Sequence, residues 1–168
     1  MPDLNQSNFV SALAAGTDQP RTAFAALCEY SRAEIGHKLF TLMVFDEATF
    51  EACRIYSNMP DAYPVSGKKP GRDDIWAQKV IKGRETFVAN SIEDIAEVFP
   101  DFELIQSLGC ESVINVPIFV GDRFLGSINC LHEAGFYTQK RVQDSELLKL
   151  PGAACFLMNT AFFETGGQ

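Results

Sequence analysis

The sequence predicts an α+β domain in which an antiparallel or mixed sheet is covered on one side by helices from both ends of the chain. Three observations lead there. Phe24, Leu27, Cys28, Ser31 and Ile35 recur at spacings of three and four, the period of a helix with one buried face. Two pairs of β-type runs, within residues 39–56 and 112–132, are each joined by a short polar link, the pattern of antiparallel hairpins. A second long helical stretch closes the chain, and two long helices need an apolar face to cover, which one side of the sheet supplies.

The elements follow in order. The first 19 residues are polar and rich in small side chains, and read as an arm or a short helix preceding one domain over residues 20–168. The first long helix runs from Pro20 to a stop at Gly36. Leu39 to Phe45 and Glu51 to Tyr56 form a hairpin around Asp46-Glu47-Ala48-Thr49, and Ser57 to Gly71 is a loop punctuated by Pro60, Pro64, Gly67 and Pro70. A helix is expected over 72–82, with Asp73 and Asp74 in its first turn, Lys79 and Lys82 in its last, and Gly83 just beyond. Thr86 to Val88 is a short strand. Ser91 with Asp94 opens a helix in the manner of a capping box, Pro100 interrupts it, and a second short helix ends at Gly109. Ser112–Val120 and Arg123–His132 are the clearest strands, turned by Gly121-Asp122. Thr138 caps the last helix, which reaches about Phe163 and should kink or break at Pro151-Gly152.

Composition narrows the function classes. The 168 residues carry 22 acidic against 14 basic side chains, a net charge of −8 that repels nucleic acid and anionic membrane on average. No apolar run approaches the length of a spanning helix, and the amino terminus lacks the pattern of a signal peptide. Cys28, Cys53, Cys110, Cys130 and Cys155 are odd in number and widely spaced, which matches neither a disulfide framework nor a metal site; reduced thiols in a cytoplasm are expected. No metal or other cofactor is expected.

Three stretches resemble the GAF domain family. Residues 40–47 (FTLMVFDE) are similar to its first strand and acidic turn, 108–118 (LGCESVINVPI) to its helix end and Val-Pro strand, and 120–129 (VGDRFLGSIN) to the following turn and strand. With the element order, the resemblance spans about residues 21–163. It implies a PAS-like α+β sandwich: an antiparallel sheet with the terminal helices on one face, and short helices and loops closing a small-molecule pocket on the other. It also implies dimers made through the terminal helices.

Strand alternation locates the pocket face independently. Ile114, Val116, Ile118, Ile128 and Cys130 form the apolar parity that helices should cover, so Asn115, Ser127 and Asn129 fall together on the opposite face, with Val113 and Leu131 in the same parity. Buried amides need partners, which a ligand, ordered water or the backbone of the lid would provide. Thr41, Met43 and Phe45 are assigned to the same site from the first strand, and Trp76 to the lid above it, where its spacing from Val80 also suits core packing. Residues 65–84 hold six basic side chains against Asp73 and Asp74, while 85–111 hold seven acids and no base. The first segment is either a basic rim for an anionic metabolite or a solvated face paired with the acidic segment. His132 reads as capping a loop and His37 as facing solvent.

The expected function is a sensory or regulatory domain that binds a small molecule of unknown identity and acts through a homodimer or a partner protein, without nucleic acid or membrane. Two alternatives come from other classes. One GAF subfamily reduces free methionine sulfoxide with lid cysteines, and Cys110 is the nearest candidate, although its spacing from Pro117 departs from that pattern and the neighbouring Glu111 disfavours a thiolate. The other is a ligand-free dimerisation domain using the terminal helices and the apolar Phe156, Leu157, Phe162 and Phe163. The family's cyclic-nucleotide, bilin and haem signatures are not found in the sequence.

Overall fold

The computed structural model describes residues 4–65 and 68–165, with the side chains of 160–165 outside the description. Helix α1 (Leu4–Leu13) is therefore a formed helix, the second of the two readings of the amino-terminal stretch. Its Phe9 is buried against the domain, with its ring 6.1 Å from that of Tyr30. Helix α2 (Arg21–Glu34) buries Ala23, Phe24, Leu27, Cys28 and Ser31, the face that its three-and-four spacing predicts.

Strands β1 (Leu39–Asp46) and β2 (Glu51–Ser57) pair antiparallel, and the Asp46 carboxylate accepts from the Ala48 and Thr49 amides to close the turn. The following loop contains one element not anticipated, the two-residue strand β3 (Lys69–Pro70) on the edge of β2. Helix α3 (Ile75–Ala77) starts later than expected, because Asp74 caps it by accepting from the Ala77 amide at 3.1 Å. It continues as a wide π-helical turn over Gln78–Lys82, which Gly83 ends by donating to the Gln78 carbonyl. Strand β4 (Phe87–Ala89), α4 (Ile92–Ala96, capped by Ser91), α5 (Phe102–Ser107), β5 (Ser112–Val120) and β6 (Arg123–His132) follow the predicted order.

Thr138 caps α6 (Gln139–Asp144). The last helix is broken, but upstream of the expected place: a 3₁₀ turn over Ser145–Leu148 precedes α7 (Lys149–Thr165). Pro151 is then the third residue of α7, within the first turn, where a missing N–H costs little. Gly152 has a different task. A Cβ there would come within 2.8 Å of Ile128 Cδ1 and 2.9 Å of Ile118 Cδ1, so the glycine lets α7 lie close on the sheet.

The sheet is antiparallel throughout, in the order β3-β2-β1-β6-β5-β4. One face packs under α2 and α7, with α1 lying against α2: Phe40, Leu42, Ile114, Val116, Ile118, Ile128 and Cys130 meet Phe24, Leu27, Cys155 and Phe156 in the larger core. The other face carries a smaller core in which Leu39, Val113 and Leu131 meet Val80, Ile95 and Ile105 from the covering segments. Alternation holds along most of β5 and β6 but shifts at a bulge between Ile118 and Phe119. Phe124 therefore joins the smaller core and Leu125 the larger one, against simple parity from Ile128.

His37 is buried, not solvent-facing. Its Nε2 lies 3.0 Å from the Cys28 carbonyl oxygen and its ring packs on Phe40. His132 stacks on Phe136 with centroids 3.4 Å apart, and its Nδ1 accepts from the Glu133 amide, a structural role at the loop. The side chains of Phe162 and Phe163 lie outside the described ones. Among the described residues, no helix is long and apolar enough to cross a membrane.

Candidate functional site

A cavity of about 480 Å³ opens between the smaller-core face of the sheet and the segments around α3 and residues 97–105. That size suits a small organic molecule. Thr41, Met43 and Phe45 of β1 line it, with Ser127, Asn129 and Leu131 of β6. Val113 and Asn115 of β5 form the far floor, and Trp76 of α3 stands above them. The register explains the convergence: Thr41 is opposite Asn129, Asn129 opposite Asn115, and Met43 opposite Ser127, so these side chains share one face in two adjacent rows.

The polar floor is buried and continuous. Trp76 Nε1 donates to Asn115 Oδ1 at 2.9 Å, and Asn115 Nδ2 donates to Asn129 Oδ1 at 2.7 Å. The same oxygen accepts from Ser127 Oγ at 2.9 Å, and Asn129 Nδ2 donates to Thr41 Oγ1 at 3.3 Å. An indole N–H can only donate, so it orients both amides in turn. The amides thus find partners in one another and in the lid indole, not in lid backbone. Trp76 packs against the smaller core, as its spacing from Val80 suggests, and also lines the cavity, with its N–H turned to Asn115.

The backbone supports this face by close approach. At Gly126, φ is +149°, and a Cβ would fall on the Met43 carbonyl oxygen, so no other residue lets β6 sit against β1 there.

Arg72 ties the lid together. Its guanidinium pairs with Asp74, donates to the Val98 carbonyl at 2.6 Å and lies over the rings of Trp76 and Phe99 at 5.3 and 5.1 Å. The basic segment pairs largely with acids other than those of 85–111: Lys82 with Asp73, Arg84 with Asp122, and Lys68 with Glu51.

Of the basic segment read as a possible rim, Lys69 and Arg72 line the cavity, while Arg54, Tyr63 and Asp101 are among the lining residues that the sequence analysis did not name. Arg54 and Lys69 project from β2 and β3, and Tyr63 donates its hydroxyl to Asp101 at 2.6 Å beneath the Arg54 guanidinium. Burial and the Asp101 carboxylate raise the Tyr63 pKa, so the phenol remains a donor. The available signal was Arg54 itself, a single charge within an otherwise uncharged strand interior.

Cys110 is fully buried in the smaller core, and its thiol is not among the cavity-lining groups. Burial raises its pKa, the reverse of what a nucleophilic thiol needs. Among the described residues, no cluster of His, Cys, Asp and Glu suits a metal ion.

Solved structures share this architecture. The GAF domain of a Coxiella burnetii phosphoenolpyruvate-protein phosphotransferase is similar with a TM-score of 0.69 at 11% identity, covering 98% of this chain and 95% of that one. The GAF domain of a Bacillus halodurans two-component sensor histidine kinase gives 0.66 at 11%, covering 88% and 99%.

The fold is that of a GAF domain.

The phycocyanobilin-bound GAF domain of a cyanobacterial phytochrome is also similar, at 0.66 and 14% identity, covering 95% of this chain and 98% of that one. No family model and no curated protein matches the sequence. What these solved structures share with this chain is the course of the backbone.

Proposed function

We propose that this GAF-fold domain is a sensory module that binds a small molecule in the cavity between sheet and lid. The observation that carries the reading is the hydrogen bond from Trp76 in the lid to Asn115 in the floor. It couples a buried polar row lining an open cavity to the segment that closes over it, so an occupant touching the row also bears on the lid. Two of the similar structures support the sensory reading: one belongs to a sensor histidine kinase and another is bound to phycocyanobilin. The output is proposed to run through the terminal helices to a second copy or a partner protein, which the exposed Leu147, Leu150 and Leu157 support.

Native mass spectrometry of the purified protein, before and after denaturation, tests this reading. A mass excess that disappears on denaturation identifies a retained non-covalent ligand, and the same spectrum reports the oligomeric state. A bare dimer favours a ligand-free interaction domain, and a bare monomer counts against the dimer.

A further inference from the structure

The cavity has a chemical bias that its size does not convey. Once the Trp76 indole has oriented the two amides, Asn115 and Asn129 each keep a second N–H, and Thr41 keeps its hydroxyl proton. Among the described residues none of these three protons meets a protein acceptor. The acceptor side of the same row is well used, since Asn129 Oδ1 already takes two bonds. The floor therefore offers surplus donors.

The wall formed by β2 and β3 adds positive charge. Arg54 and Lys69 both line the cavity, and among the described residues neither forms an ion pair. Of the two carboxylates that line it, Asp74 pairs with Arg72, and Asp101 accepts from the Tyr63 hydroxyl close to Arg54, so Arg54, Lys69 and Arg72 outnumber the lining acids by one charge. This local excess sits in a protein of net charge −8, so it does not reflect overall composition. In the register, Arg54 is opposite Met43, two strands and two residues away from Asn129. Standard sheet spacings put their Cα atoms about 12 Å apart. Met43 lies between the two ends in the register, and Phe45, Phe124 and Trp76 add apolar surface to the lining.

We propose that the cavity takes a small carboxylic acid with an apolar, ring-sized body and a second oxygen at its far end. The carboxylate lies against Arg54 and Lys69, and the far oxygen accepts from the row of Asn115, Asn129 and Thr41. This inference rests on the small-molecule reading above and narrows it to one charge class.

Titration calorimetry on the full chain with three probes of nearly equal shape tests it: 4-hydroxybenzoate, 4-hydroxybenzamide and 4-(aminomethyl)phenol at neutral pH. A charge-assisted contact implies that the acid binds about tenfold more tightly than the amide, or better. The amine should give no binding heat. Arg54→Met should bring acid and amide to near-equal affinity. Lys69→Gln, at an exposed position, should reduce the preference several-fold and keeps the test open if the arginine variant does not fold. An amide that matches the acid, or an amine that binds best, overturns the anion class and leaves a binding cavity standing. Silence from all three probes overturns the inference, while the mass measurement judges the small-molecule reading separately.

Discussion

The indole nitrogen of Trp76 lies 2.9 Å from Oδ1 of Asn115, and that bond joins the lid to the floor of the cavity. Trp76→Phe keeps the ring's apolar contact but leaves a buried amide oxygen without its donor. The expected cost is about 1–3 kcal/mol. Chemical denaturation should show a lower midpoint at unchanged slope, and amide hydrogen exchange should quicken across residues 72–83. An unchanged midpoint together with unchanged exchange would remove the lid–floor coupling from the argument.

Gly126 tolerates no side chain. Alanine there meets both the +149° φ and the Met43 carbonyl. Backbone strain and a displaced β1–β6 pairing together should cost about 3 kcal/mol or more. Urea unfolding of Gly126→Ala measures this, and a loss below the usual surface-mutation range would show that the sheet yields at the bulge.

Stability should fall on mild acidification because of His37. Burial is the main cause that holds its pKa below the ordinary value, with Arg32 and His132 acting in the same direction and the Cys28 carbonyl and Glu29 against it. Nε2 donates to the Cys28 carbonyl, and among the described residues the buried Nδ1 meets no hydrogen-bond partner, so the folded state favours the neutral ring. With a folded pKa below the unfolded one, the unfolded chain takes up protons first as pH drops. The associated stability is fully present above the unfolded value near 6.5 and is lost progressively below it, down to the folded pKa. Denaturation midpoints between pH 7.5 and 5 should decline in the wild type and flatten in His37→Gln. His132, also held low chiefly by burial, leaves a smaller residual slope in that variant.

Thiol reactivity should be uneven. Cys28, Cys110, Cys130 and Cys155 are buried, and Cys53 is only half-buried. Burial pushes Cys28 up to about 11 and Cys155 up to about 12, and raises Cys110 and Cys130 as well. Titration with a disulfide reagent should find one prompt thiol in the native protein and four more after unfolding. Prompt modification of Cys110, located by peptide mapping, would revive the case for thiol chemistry in the lid.

Much of the fold was legible because its signals are local. The period of α2, the hairpin turns, the Ser91 and Thr138 caps and the alternation of β5 all depend on residues close in sequence. The pairing of Asn115, Ser127 and Asn129 on one face followed from the same period of two, since a strand's pleat dictates side whatever lies beyond it.

What only the tertiary structure decided is where distant segments meet. Phe124 and Leu125 exchange faces because a bulge between Ile118 and Phe119 adds a residue that alternation does not count. His37 is buried because β1 and α2 close around it, which no neighbour in sequence foretells. Arg54, Lys69 and the Tyr63–Asp101 pair join the cavity through the sheet edge and a 38-residue separation. The sequence alone determined which residues share a helix face or a strand face, because steric periodicity is a property of a few consecutive residues. Which faces meet, and what charge the cavity between them carries, depends on non-local packing that only the folded chain provides.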